Sequence, residues 1–277
     1  MSILLAKTCK NKMELQHKVV WITGASSGIG AALVKAMYAQ NCKIVLSARR
    51  VARLEALVQH LSISTDQYLI VPADMEKAEE EAEQWTQAVL EKFGRIDVLI
   101  NNAGIAHKSR VVETQAAVER KVMEINFFGL AALTKAVAKQ MQQQKSGMLV
   151  GISSLLGDFG LPNVGAYCAS KHALNGYYES LRYELAADKV QVLLIAPGFI
   201  NTDITLNSLD KNGKAYQKNS KAQEKGMPPD KCARKIVSAI RKEKKKVYVG
   251  GVETYFRWVN FYTPSLFRYL MKKLHKL

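Results

Sequence analysis

Seven short runs of β-branched and aliphatic residues, at 19–23, 43–47, 68–71, 96–100, 148–153, 190–196 and 246–249, are separated by longer segments of helical period. The helical segments fall near 29–40, 51–61, 76–93, 114–143, 165–187 and 229–243. The strand runs show little polar alternation, the pattern of a sheet covered on both faces. Strand and helix alternating over this length predict an α/β chain with a parallel, doubly wound sheet. No repeat or low-complexity linker divides the 277 residues, and 48% hydrophobic content suffices to cover both faces. A single domain over 17–251 is therefore expected, with an N-terminal extension at 1–16 and a C-terminal one at 252–277. The stretch 202–229, rich in Lys, Asn and Ser, breaks the rhythm. It is expected to be a long loop with a short helix, of the kind that often serves as a lid.

No apolar run approaches the length of a membrane span. The patch at 3–6 is followed at once by Lys7 and is too short for a secretory signal. Cys9, Cys42, Cys168 and Cys232 are scattered without a paired spacing, which fits reduced cytoplasmic thiols and neither a disulfide framework nor a metal site. The formal charge of +16 is unevenly spread: residues 202–277 hold 18 Lys and Arg against 6 Asp and Glu. That imbalance suits an anionic surface, substrate or partner, or simply a solubilising exterior. No DNA- or RNA-binding motif accompanies it, so a nucleic acid partner is not expected.

The first strand runs into Thr23-Gly24-Ala25-Ser26-Ser27-Gly28-Ile29-Gly30, and a helix follows. Gly24 permits a tight turn, while Gly28 and Gly30 let backbone approach a phosphate and let the helix pack close to the sheet. The helix N-terminus then offers free N–H groups to a pyrophosphate. A glycine pattern alone is weak, but strand, turn and helix occur here in the order that dinucleotide binding requires. The second strand ends Leu46-Ser47-Ala48-Arg49-Arg50, with no carboxylate to take a ribose 2′-hydroxyl. Arg49 suits a 2′-phosphate, so NADP(H) is the expected cofactor. Asp74, after the third strand, is placed to meet an adenine amino group or simply to cap a helix.

Six motifs in order give the chain a family resemblance over roughly 17–200. They are the glycine loop at 23–30, Asn101-Asn102-Ala103-Gly104, Asn126 in Ile-Asn-Phe-Phe-Gly, Ser153-Ser154, Tyr167-Cys-Ala-Ser-Lys171, and Pro197-Gly-Phe-Ile-Asn-Thr202. Together they resemble the short-chain dehydrogenase/reductase family. The resemblance implies a Rossmann fold with a seven-stranded parallel sheet, usually assembled as a homodimer or homotetramer. It assigns catalysis to Asn126, Ser154, Tyr167 and Lys171. It assigns cofactor binding to Gly24, Ser26, Ser27, Gly28, Ile29 and Gly30, to Arg49, Arg50 and Asp74, and to Asn102, Ala103 and Gly104. Tyr167, Lys171, Pro197, Gly198, Ile200 and Thr202 complete that set. It further implies that Lys171 holds the nicotinamide ribose and that Asn126 holds a water relaying protons to Lys171.

Tyr167 and Lys171 are four apart and share one face of a helix. A free tyrosine titrates near 10, and proton transfer works best near the operating pH. Bringing the phenol down by about 3 amounts to roughly 4 kcal/mol in favour of phenolate, and a nearby ammonium supplies a large part of that. Tyr167 is thus expected to protonate a carbonyl oxygen that Ser154 steadies by a hydrogen bond, with Lys171 lowering the tyrosine's pKa. Read singly, a Tyr/Lys pair on a helix is a surface contact and tandem serines are a turn. His107 and His172 match no family role, and Cys168 has no base partner and is expected to pack.

Leu155, Leu156, Phe159, Leu161 and Phe199 surround the expected site, which favours a hydrophobic carbonyl or alcohol substrate of lipid, steroid or retinoid type, or else marks plain packing. The tail places Leu266, Phe267, Leu270, Met271, Leu274 and Leu277 on one arc and Arg268, Lys272, Lys273, His275 and Lys276 on the other, with Pro264 starting the helix. Tyr255, Phe256, Trp258, Phe261 and Tyr262 lie just upstream. Such a segment suits peripheral membrane contact through 255–277, or docking on the body or a sister subunit. Two other functions fit the chain: a reductase of 3-oxoacyl groups on an acidic carrier protein, and a non-catalytic NADP(H)-binding sensor.

Overall fold

The computed structural model describes residues 13–218 and 220–275. Residues 1–12, with Cys9 and the patch at 3–6, lie outside the described residues, as do Lys276, Leu277 and the side chains of Leu274 and His275. Seven strands, β1 (Val19–Thr23), β2 (Lys43–Ser47), β3 (Tyr68–Ile70), β4 (Val98–Asn101), β5 (Gly147–Ile152), β6 (Val190–Pro197) and β7 (Lys246–Val249), form one sheet. Its order is β3-β2-β1-β4-β5-β6-β7, and every neighbouring pair is parallel. The chain reverses direction of growth between β1 and β4, and the crevice at the carboxyl ends there is where open α/β sheets bind ligands.

Both faces are covered, which is why the strand runs are continuously apolar. Val20 and Ile22 of β1 pack into the core beneath α1 (Gly28–Tyr38), α2 (Val51–His60) and α8 (Pro229–Arg241), against Leu33, Met37 and Ile236. Val19 and Trp21 face the opposite core, built by α3 (Ala78–Phe93), α5 (Gly129–Gln144) and α6 (Gly165–Glu184). Trp21 is fully buried and donates its indole N–H to Ser47 Oγ at 2.8 Å, so its one polar atom is satisfied. Burying a large apolar side chain of this kind contributes about 1.5–3 kcal/mol. Leu15 also packs into the first core, and Met13 N–H bonds Arg241 O at 2.8 Å, so the chain joins the body before residue 17.

The single helix expected over 114–143 is instead two. α4 (Ala116–Met123) and α5 are joined by a π turn at Glu124–Phe128, with Gly129 N–H bonding Glu124 O. Apolar periodicity runs through the junction, so the sequence pattern carries no sign of the extra residue. Two close contacts impose it: Asn126 is tied to the loop after β4, and Gly129 lies against Met75, whose carbonyl oxygen stands 2.1 Å from where a Cβ would sit.

Among its described residues the excursion 202–228 contains one short helix, α7 (Lys221–Glu224), and is fixed in place by backbone pairing. Leu209 N–H bonds Ala106 O at 2.9 Å and Lys108 N–H bonds Leu209 O at 2.7 Å, while Met227 N–H bonds Phe199 O at 2.8 Å. After β7 a short turn leads into α9 (Phe256–Tyr262) and α10 (Pro264–His275). These helices dock through Phe267, whose ring meets Phe159 at 5.1 Å and Phe256 at 6.4 Å between centroids. The apolar arc read from the sequence is wider than the surface it meets. Phe267 is buried, Leu270 and Met271 are partly buried, but Leu266 is 49% exposed.

Candidate active site

Four loops at the carboxyl edge of the sheet converge. Thr23 Oγ1 accepts from the amides of Asn102 and Ala103 at 3.0 Å each, and Asn102 Nδ2 donates to Thr23 O at 3.0 Å and Gly24 O at 3.3 Å. The loops after β1 and β4 are thereby stitched together across the switch point. Behind them, buried Asn101 Nδ2 donates to Thr134 Oγ1 at 2.7 Å and Tyr178 OH at 2.8 Å, fixing β4 to α5 and α6.

Gly24, Ser26, Ser27, Gly28 and Ile29 line a cavity of about 430 Å³. Arg49, Arg50 and Asp74 line it from the second and third strands, and Asn102, Ala103 and Gly104 from the fourth. Gly28 has φ 54°, a conformation side chains other than glycine rarely take. Gly30 does not face the cavity; it packs under the loop, where a Cβ would stand 2.1 Å from Gly24 O. Ser27 sits at the N-cap of α1 but makes no side-chain capping bond, which leaves the first-turn amides open to an anion. Its hydroxyl, with that of Ser26, accepts instead from Arg50 Nη2 at 3.2 Å. Sequence reading favoured Arg49, yet Arg50 is the arginine that reaches the glycine loop. Burial and the neighbouring charges of Arg53 and Arg49 lower its pKa, while Asp203 acts the other way. Asp74 accepts from Glu76 N–H at 3.2 Å and so caps a short turn while facing the same cavity.

A second cavity of about 530 Å³ adjoins the first, and Ile29, Asn102, Gly104, Thr202 and Ile204 belong to both walls. Ser154, Tyr167 and Lys171 line it together, as do Pro197, Gly198 and Ile200. Ser154 Oγ accepts from Leu156 N–H at 3.1 Å, and the Ser154 side chain is also hydrogen-bonded to Tyr167. Lys171 Nζ donates to Ile152 O at 2.9 Å and lies 5.7 Å from the centre of the Tyr167 ring. Asn126 Oδ1 accepts from Ile105 N–H at 2.8 Å, and Nδ2 donates to Ile105 O at 2.8 Å and Ser170 Oγ at 3.0 Å. Its side chain positions the loop after β4 against α6.

The electrostatics correct one expectation. Tyr167 is not lowered by Lys171; burial pushes its pKa up to about 12, with the Ser154 hydrogen bond acting the other way. Burial also pulls Lys171 down to about 8. Each group loses more from desolvation of its charged form than it gains from the other across this distance. The buried thiol of Cys168 is pushed up as well, as suits a packing residue. His172 bonds Cys168 O at 2.8 Å on the exposed side of α6.

Leu155, Leu156, Phe159, Leu161 and Phe199 all line the second cavity. Sequence reading did not place Phe256 and Met271 there, although both do. Their signals were the apolar arc of the tail for Met271 and the aromatic cluster just upstream of it for Phe256. Glu253 was also missed; it accepts from Phe199 N–H at 3.0 Å and Gly251 N–H at 2.9 Å, fixing the loop after β6.

Residues 18–213 match the family model described as short chain dehydrogenase. The chain belongs to that family. It is 38% identical over 277 residues to a dehydrogenase/reductase SDR family protein 7-like of Anopheles gambiae, spanning 98% of this chain and 87% of that one. Among solved structures it is similar to a short chain dehydrogenase/reductase from Burkholderia phymatum in complex with NAD, at 23% identity and TM-score 0.81, over 92% of this chain and 96% of that one. It is also similar to an alcohol dehydrogenase from Thermococcus sibiricus complexed with 5-hydroxy-NADP, at 27% identity and TM-score 0.72, over 85% of this chain and 97% of that one.

Proposed function

We propose that the protein is an NADP(H)-dependent oxidoreductase that reduces the carbonyl group of a hydrophobic substrate to an alcohol. The observation that carries this reading is the junction of the two cavities, with Ser154, Tyr167 and Lys171 in the wall of the second. The first cavity fits a phosphorylated dinucleotide: free amides at the start of α1, a close-packed glycine loop, and Arg49 and Arg50 where a carboxylate would select the unphosphorylated ribose. One similar solved structure carries NAD and another an NADP derivative, and it is Arg49 and Arg50 in this chain that support NADP(H). A bound reduced nicotinamide supplies the hydride. Tyr167 stays protonated across the physiological range and gives its proton to the carbonyl oxygen; Ser154 donates a hydrogen bond to the same oxygen. Replacing Arg49 and Arg50 together by Ala is expected to weaken NADPH binding at least tenfold more than NADH binding in fluorescence titrations; equal losses contradict the assignment.

The pH dependence follows from Lys171. Its charged form is present below its pKa of about 8 and lost above it, well before an ordinary lysine titrates. For reduction, kcat/KM is expected to fall above about pH 8 along a single-proton limb. A profile flat to pH 10 contradicts the role of the lysine ammonium.

Trp258, Phe261, Tyr262, Leu266 and Tyr269 are exposed on α9 and α10, beside the cavity-lining Phe256 and Met271, with Arg268, Lys272 and Lys273 also exposed. Aromatic and basic side chains together suit the interface of an anionic bilayer. Among the described residues no helix is long and apolar enough to cross a membrane. We therefore propose peripheral contact through 255–277. The protein is expected to co-sediment with vesicles containing phosphatidylserine, and Trp258→Ser with Phe261→Ser to reduce binding severalfold. Family members are commonly homodimers or homotetramers, and we propose the same here.

A further inference from the structure

The wall of the second cavity holds a polar segment that the catalytic reading leaves unused. His107 and Lys108 line it from the loop after β4, held in register by the pairing of Ala106 and Lys108 with Leu209. His107 is 1% exposed, and its Nδ1 has no hydrogen-bond partner among the described residues. A buried polar atom without a partner is rare in a folded protein and costs stability unless a ligand completes it. Lys108 is partly buried, and among the described residues it forms no ion pair and no side-chain hydrogen bond. Burial alone lowers its pKa, with no carboxylate near enough to offset the loss of water. Burial and, after it, the charge of Lys108 lower the pKa of the imidazole beside it.

The other charged groups of the wall are already committed. Lys171 is bonded to Ile152 O, and the Glu253 carboxylate takes the amides of Phe199 and Gly251. Among the described residues Lys108 is thus a partly buried cation without an ion-pair partner, next to a ring nitrogen without a partner, in a cavity whose wall also carries the apolar side chains of Leu155, Leu156, Phe159, Leu161, Phe256 and Met271. A desolvated cation gains most from an anion that reaches it through a water-excluding wall.

We propose that His107 and Lys108 form an anion subsite within the substrate cavity, and that the substrate is an apolar carbonyl compound carrying a carboxylate. Lys108 supplies the charge and His107 donates one hydrogen bond to the same group. The apolar wall takes the chain between the carboxylate and the reacting carbonyl. This rests on the reading of the second cavity as the site of carbonyl reduction.

The test uses full-length protein, with and without NADP⁺, titrated calorimetrically with methyl-ketone acids of six, eight, ten and twelve carbons and with their methyl esters. At one or more lengths the acid is expected to bind at least tenfold more tightly than its ester. Lys108→Met is expected to bring that ratio within twofold while leaving the ester's affinity unchanged. Lys108→Arg, which keeps the charge, is expected to preserve the preference, and His107→Leu to reduce it by a smaller factor. Esters binding as well as acids at every length, no binding of any acid, or a preference that survives Lys108→Met overturns the proposal. Turnover of the same compounds is followed in parallel. Acid-selective binding without any turnover removes the reductase reading and leaves the subsite, whereas turnover of acids and esters alike does the reverse.

Discussion

Tyr167→Phe is expected to bind NADPH with unchanged affinity and to reduce a ketone at least about 10²-fold more slowly than the parent protein, because the proton donor is gone. The hydroxyl is the only group lost. The ring keeps its place in the cavity wall, and the Lys171 ammonium keeps its bond to Ile152 O. The expected loss therefore falls on kcat rather than on cofactor binding. Burial holds the phenol at about 12, so the donor is in its acidic form throughout the physiological range and no activating deprotonation precedes the step. Single-turnover absorbance at 340 nm checks this outcome, and full activity in the variant contradicts the mechanism.

Gly30→Ala is expected to lose both stability and cofactor binding. An added Cβ would stand 2.1 Å from Gly24 O and 2.7 Å from Asn102 Nδ2, and both atoms belong to hydrogen-bonded parts of the switch point. Relief of such overpacking costs about 1–3 kcal/mol, and it can come only by moving α1 or the glycine loop. Either movement spoils the cradle of amides, so NADPH affinity is expected to fall tenfold or more. Gly160→Ala serves as the control, since a Cβ there meets nothing within 4 Å. Urea unfolding with a parallel NADPH titration distinguishes the two substitutions.

The sheet was legible because burial on both faces leaves its strands as unbroken apolar runs, and β1, β2 and β7 begin and end where those runs do. The glycine loop and the Ser154, Tyr167 and Lys171 spacing were legible because their residue types are constrained one by one. What escaped was decided between distant segments. The π turn at Glu124–Phe128 arises from the engagement of Asn126 with Ile105 and Ser170, which periodicity cannot register. The choice of Arg50 over Arg49 as the partner of Ser26 and Ser27 depends on how the turn after β2 presents two adjacent, chemically equal side chains. The upward shift of Tyr167 depends on burial and on a distance to Lys171, neither of which a four-residue spacing reveals. The tail showed an apolar arc but not its use: Phe267 anchors it, and Met271 and Phe256 reach the cavity. His107 and Lys108 carried no motif at all, and only their placement in a cavity wall gives them meaning.

The central claim is that Ser154, Tyr167 and Lys171 direct transfer of a hydride from NADPH to a carbonyl carbon. It is tested most directly by incubating the full-length protein with NADPH deuterated at the nicotinamide C4, using both stereoisomers, and an apolar ketone. Mass spectrometry of the product then reads the outcome. The account predicts one deuterium on the carbinol carbon from one of the two stereoisomers, and at least about 10²-fold less product from Tyr167→Phe in the same time. Unchanged ketone in the presence of bound NADPH, or a labelled alcohol formed as readily by Tyr167→Phe, would contradict it.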